Sequence, residues 1–275
     1  MNSAFNIFTP GAVAAQCSLL IEVSCYSVSY IVIDEHNACV ALAIYHFADG
    51  TTSDQLGSNI KNMVAAQPLL QQPFKKITIV YAFEKAIVVP NEYMNPATGK
   101  KMLELAYGYT GEGIVRSDHM YKHNLHACYE VPKQVDAVIA HLFPIANHTH
   151  QYALLPNVVE ASGNLLYSIF NPATITVQLF KMGKLQVIQS FQYKTAEDAA
   201  YHLLNVCQRF DVVADDTILY LNGMIDATSN LNTELYNYFL HPAFGSLPTA
   251  FTYNSEIKKY PEHYFSHLFQ LATCV

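Results

Sequence analysis

A pattern of apolar strands and one capped helix occurs twice in this chain, and it constrains the fold more than any other feature. In the first half, residues 18–24, 28–34 and 38–47 ("ACVALAIYHF") run or alternate in apolar, β-branched and aromatic types, the mark of strands. The polar stretch "DGTTSDQLGSNIKNMVAAQ" follows. Its Thr51 and Asp54 form a T-x-x-D capping pattern, which predicts a helix with Leu56, Ile60 and Met63 on one face. "KKITIVYAF" is then a short, almost wholly apolar strand of the kind buried on both faces. The second half repeats the order. Strands are expected at 164–170, 174–181 and 185–193, then the cap pattern Thr195–Asp198, a helix carrying Leu203, Leu204 and Cys207, and the buried strand "DTILYLNG".

Three markers measure the repeat. Thr51 and Thr195 stand 144 residues apart, Ile77 and Ile218 141, and Leu20 and Leu166 146. Loop variation covers the few residues of disagreement. A three-strand meander extended by a crossover helix to a further strand, used twice, is the expectation, with lobes at 1–145 and 146–275. Between the halves, "HACYEVPKQVDAVIAHLFP" reads as a strand and then a helix with Pro132 in its first turn. "HQYALLPNVVEAS" predicts a further strand and a helix start, "NLNTELYNYFLH" a helix, and the last helix begins near residue 261.

Composition removes several classes of function. Charged residues make up only 13% of the chain, and 15 Lys and Arg face 22 Asp and Glu, a net charge of -7. A general nucleic-acid or anionic-membrane partner needs a concentrated basic face, so neither is expected. No apolar window is long enough for membrane insertion. The N-terminus has neither the basic start nor the long apolar run of a signal peptide, and the six cysteines lack paired spacing. A reduced, cytoplasmic protein is the expectation.

Three segments carry a family resemblance: "TIVYAFEKAIVVPNEYM", "SFQYKTAEDAAYHLLNVCQRF" and "ILYLNGMI…LYNYF". With the opening hairpin they resemble DUF3822, a family of uncharacterised Bacteroidetes proteins with an actin-like fold. The resemblance implies an α/β chain of duplicated ribonuclease-H-like lobes in an actin-like ATPase arrangement, with mixed sheets flanked by helices. Active members of that superfamily hold a nucleotide between the lobes. They grip phosphates with two hairpins bearing Asp-x-Gly type turns, and a Gly-Gly pair packs on adenosine.

Those elements are mostly missing here. The acidic position of the first hairpin aligns best with Glu22, and Val23, Ser24 and Cys25 follow it, with no glycine from residue 12 to 49. The second hairpin turns through Ser168-Ile169-Phe170-Asn171-Pro172-Ala173, without acid or glycine. Proline has no N–H and a fixed φ, so it suits a rigid turn better than an anion nest. Only Leu221-Asn222-Gly223-Met224 keeps part of the third element. The expected protein is therefore a scaffold or protein-binding module without catalytic residues, contacting a protein partner or forming a homo-oligomer. The competing expectation is a divergent nucleotide-binding protein that would place ATP and Mg²⁺ against Glu22, Ser27, Asn171, Asn222 and Gly223.

Two further groups of side chains bear on the chemistry. His119, His123, His126 and Cys128 fall within ten residues, with His148 and His150 nearby. Zinc would need several of them to converge, and the polar, glycine-bearing lead-in from 108 to 118 predicts a loop instead. The aromatic cluster of Tyr236, Phe239 and Phe244, with Tyr238 on another helical face, fits core packing better than an interface.

Overall fold

The computed structural model describes residues 1–9, 13–95, 98–109, 111, 113–154 and 163–275. It divides into two units. The first takes Met1–Leu155, Thr249–Lys258 and Leu271–Val275, and the second Pro156–Pro248 and Lys259–Gln270. The helix start expected within 155–162 lies outside the described residues.

The first unit begins with β1 (Asn2–Phe8), β2 (Ser18–Val23), β3 (Ser27–Ile33) and β4 (Cys39–His46), then α1 (Ser53–Ala66) and β5 (Lys76–Tyr81). β6 (Ala86–Pro90), α2 (Thr98–Tyr107), β7 (Ile114–Met120), β8 (Leu125–Val131), α3 (Lys133–Leu142) and β9 (Asn147–His150) follow. The main sheet runs β1-β4-β3-β2-β5-β9. β2, β3 and β4 form an antiparallel meander, while β5 lies parallel to β2 and β9 parallel to β5. β3 is buried along its whole length, as its unbroken run of apolar and small residues requires. α1 buries Leu56, Gly57, Ile60, Met63 and Val64. At Gly57 an added Cβ would sit 3.2 Å from Val138 Cγ2, so the glycine sets how closely α1 and α3 approach.

The second unit contains β10 (Asn164–Phe170), β11 (Thr174–Lys181), β12 (Lys184–Gln192), α4 (Ala196–Arg209), β13 (Thr217–Gly223), α5 (Asn230–Tyr236) and β14 (His241–Phe244). α6 (His263–Thr273) follows, belonging to this unit as far as Gln270. Its sheet order, β12-β11-β10-β13-β14, repeats β4-β3-β2-β5-β9, with the same antiparallel meander and the same two parallel additions. Leu166, Val177, Leu203, Leu219 and Phe239 centre its core, which joins the sheet to α4 and α5. Phe239 is fully buried and Phe244 packs on this core, whereas Tyr236 and Tyr238 are half-exposed. The aromatic cluster is thus core for its phenylalanines and surface for its tyrosines.

Three local expectations are corrected. The first helix is capped by Thr52, not Thr51: Gln55 N–H donates to Thr52 Oγ1 at 3.3 Å, and Thr52 N–H to Gln55 Oε1 at 2.9 Å. Thr51 instead donates its hydroxyl to Ala48 O, closing the turn through Gly50, so the chain enters the helix one residue later. The Thr195–Asp198 box forms as read. Pro132 is the N-cap of α3 rather than a first-turn residue, where its missing N–H costs nothing. Finally, residues 114–120 form β7 rather than continuing a loop. β7 pairs with β8, and β8 with β6, into a small sheet inserted between β5 and β9. Among the described residues, no helix is long and apolar enough to cross a membrane.

Candidate functional site

The first hairpin closes through Ser24-Cys25-Tyr26-Ser27. Ser24 N–H donates to Ser27 O at 2.9 Å, and Ser24 Oγ accepts from the backbone N–H of Tyr26 at 3.1 Å and of Ser27 at 2.9 Å. The two hydroxyls meet at 3.0 Å. Serine side chains bind their own turn in this way, and here the consequence is chemical. Three of the turn's four backbone N–H groups, those of Ser24, Tyr26 and Ser27, are thus spent on the turn itself rather than left to form a phosphate nest. Glu22 lies on β2 opposite Ser29, with only 8% of its surface exposed.

The second hairpin is closed as tightly. Asn171 N–H donates to Thr174 O at 2.8 Å, and Pro172 has no N–H to offer. Tyr193, just beyond β12, donates its hydroxyl to Asn171 O at 2.7 Å and its N–H to Ala173 O at 3.1 Å. Burial pushes the Tyr193 phenol up to about 12, so it remains a donor at neutral pH.

At the neighbouring end of β13, Asn222 is 1% exposed and engaged at both ends of its amide. Its Nδ2 donates to Ser168 O at 3.1 Å, and its Oδ1 accepts from Ser266 Oγ at 2.7 Å. Gly223 has φ of +80°, and a Cβ there would lie 2.3 Å from Phe170 O. The next residue, Met224, donates its N–H to that same oxygen at 2.7 Å. Asn171, Asn222 and Gly223 are therefore brought together around the ends of β10 and β13, held by contacts within the fold. Glu22 and Ser27 are neighbours in the first unit, on paired strands.

A buried polar network in the first unit went unseen in the sequence. Asp118 on β7 accepts from Tyr129 Oη at 3.3 Å, Thr149 Oγ1 at 3.0 Å and His150 N–H at 2.6 Å. Burial raises its pKa, opposed by those three donors and by Arg116. His150 is fully buried. Its Nε2 donates to Phe83 O at 3.0 Å and its Nδ1 accepts from Tyr152 N–H at 3.2 Å, an arrangement only a neutral ring satisfies. Burial holds its pKa down to about 3. Arg116 Nη2 pairs with Asp136 Oδ1 at 2.6 Å, and Tyr81 Oη meets His148 Nδ1 at 3.0 Å. The network joins the small sheet to β9 and leaves no nitrogen of His150 for proton transfer. Arg116 and Asp118 are the one sequence signal, two charges at alternate positions of a strand.

The histidines do not assemble as a three-ligand centre. His119 and His126 are cross-strand partners with rings stacked at 4.5 Å, His123 lies in the turn between their strands, and Cys128 points at Met94 Sδ, 3.7 Å away. Among the described residues, no three His, Cys, Asp or Glu side chains form a group that could hold a metal ion. Gly111, Gly113 and Ile114 line an open groove of about 740 Å³ with Lys133, Gln134 and Ala137, a lining with no acid or nucleophile.

Over residues 10–241 the sequence matches the family described as protein of unknown function (DUF3822). The chain belongs to this family. No curated protein matches it. Among solved structures, this DUF3822 chain is similar to a Bacteroides thetaiotaomicron protein with an actin-like ATPase fold and unknown function, at 19% identity and a TM-score of 0.78 over 96% of this chain and 100% of that one. It is also similar to PilM in the PilM-PilN type IV pilus biogenesis complex, at 12% identity and a TM-score of 0.62 over 95% and 98% of the two chains. The ethanolamine utilization protein EutJ from Carboxydothermus hydrogenoformans follows at 10% identity and 0.52, over 98% and 93%. At these identities the likeness establishes the fold. The DUF3822 chain has the actin-like ATPase fold, as its twice-used sheet order required.

Proposed function

We propose that this DUF3822 protein is a non-catalytic scaffold or protein-binding module, a pseudo-ATPase that kept the actin-like fold and lost its phosphate loops. One observation carries the reading: the hairpin turns spend the N–H groups of Ser24, Tyr26, Ser27 and Asn171 on acceptors within the turns, and Pro172 has none to offer. The repeated sheet order is read as an internal duplication. PilM, which shares the fold, was solved in complex with PilN, so protein binding has a precedent on this architecture, by analogy alone. The partner is a protein or a second copy of this chain, since the net charge of -7 disfavours nucleic acid. Six cysteines, none of them joined in a disulfide among the described residues, suit the reducing cytoplasm.

The competing reading, a divergent ATP- and Mg²⁺-binding protein, draws on the shielded carboxylate of Glu22 with Ser27, Asn171, Asn222 and Gly223. Phosphate release at saturating ATP and Mg²⁺ tests the non-catalytic part of the first reading. Release is expected to equal the buffer background, in the native protein and in Glu22→Ala alike. Turnover that Glu22→Ala abolishes would overturn the scaffold reading.

A further inference from the structure

The hairpin of β7 and β8 carries a pair of histidines whose ring nitrogens are prepared for a ligand that the fold itself does not supply. His119 and His126 stand directly opposite each other, their rings 4.5 Å apart and 15° from parallel. His119 Nε2 and His126 Nδ1 are both shielded and, among the described residues, have no hydrogen-bond partner. A buried ring nitrogen without a partner is a cost that folded proteins rarely leave standing.

Asn91 sets the state of one ring. Its Oδ1 lies 2.9 Å from His126 Nε2, and a carbonyl oxygen only accepts, so Nε2 carries the proton. His126 Nδ1 is left as a bare lone pair. A histidine that ligates a metal commonly donates its other N–H to such an oxygen, which fixes tautomer and orientation. On its other side, His119 meets the Tyr121 ring at 4.0 Å, and Tyr121 is 82% exposed. That ring can swing away without opening the core.

We propose that His119 and His126 form an open two-histidine site for a borderline divalent cation of the Zn²⁺ class. Imidazole nitrogens suit such ions, and a cross-strand pair brings two within reach of one ion once the His119 ring turns out of the stack while His126 stays on Asn91. Water fills the remaining positions. Cys128, though next but one to His126, is committed to the α2 side through Met94 and Gly99, so the site has nitrogen ligands only.

The test is calorimetric titration of Zn²⁺ into the full chain at pH 7.5, with the exposed thiols removed by Cys25→Ser and Cys274→Ser. One Zn²⁺ per chain is expected. His119→Ala and His126→Ala should each abolish binding, and Asn91→Ala should weaken it about tenfold, the effect of losing an orienting partner. Circular dichroism establishes that the variants are folded. Ring-nitrogen NMR of the unsubstituted histidines provides a second readout, in which Zn²⁺ should shift His126 Nδ1 while Nε2 stays protonated. Absence of binding at millimolar Zn²⁺, or binding that survives both histidine substitutions with His126 Nδ1 unmoved, would overturn the assignment.

Discussion

Lowering the pH from 6.5 to 4 is expected to remove about 3 kcal/mol of stability through His150 alone, at about 1.4 kcal/mol per pH unit. The folded state holds this ring's pKa down to about 3, against an ordinary value of 6.5. A histidine depressed in this way adds stability that is fully present above pH 6.5. That stability is lost as the pH falls towards 3, because the unfolded chain takes up a proton that the folded chain refuses. The refusal has a visible cause. A proton on Nδ1 would face the Tyr152 N–H, which already points at that atom. His46, His148 and His263 are also depressed, chiefly by burial, and steepen the fall in the same direction. Asp118 acts oppositely, since burial raises its pKa, and its effect is separated from that of His150 by the His150→Gln comparison below. Urea denaturation at half-unit intervals from pH 7 to 5 measures the slope. His150→Gln should be less stable at pH 7 and show a shallower profile than the native chain. Parallel profiles would mean that His150 is not the buried neutral ring described above.

Replacing Gly223 by alanine is expected to cost about 3 kcal/mol or more, well beyond the cost of a left-handed backbone alone. The residue has φ of +80°, and a Cβ would press to 2.3 Å on Phe170 O, a backbone atom with little room to yield. Gly183 provides the comparison. It has φ of +72° in the turn between β11 and β12, and among the described residues an added Cβ would meet nothing within 4 Å. Gly183→Ala should therefore cost about 1–2 kcal/mol, the conformational penalty by itself. Denaturant melts of the two variants separate strain from collision. Equal losses would show that the strand end relaxes around a side chain, and the close approach of Gly223 to β10 would no longer explain why glycine stands there.

The strands of the repeat were legible because their residue types are unambiguous. β10 and β11 fall where the apolar runs begin and end, bounded by Asn171-Pro172-Ala173 and by Met182-Gly183. The first cap lies one residue beyond the T-x-x-D pattern because two threonines stand side by side, and only the turn through Gly50 decides between them. β7 was missed for a physical reason. Its Arg116 and Asp118 face a polar network, so the strand shows no apolar alternation on which to read it. That network draws residues 81, 118, 129 and 150 together from four strands, and no local pattern announces such a contact. The return of Thr249–Lys258 to the first unit is equally non-local: Cys39 N–H donates to Thr252 O at 2.9 Å, and Thr252 N–H to Asn37 O at 2.9 Å. At the candidate site, missing glycines and acids were plain in the sequence. That Ser24 itself takes up the turn's N–H groups was not, although serine is a residue that does so.

If these turns hold no nucleotide, a thermal-shift titration with ATP, ADP and Mg²⁺ should leave the protein's melting unchanged. A ligand at a hundred times its dissociation constant stabilises a folded protein by about 2.7 kcal/mol, a shift readily seen in melting. The melting temperature is expected to stay constant into the millimolar range for each nucleotide, with and without Mg²⁺. A saturable, dose-dependent rise would contradict this, and would mean that a nucleotide site persists without the glycines and free N–H groups on which phosphate binding in this fold relies.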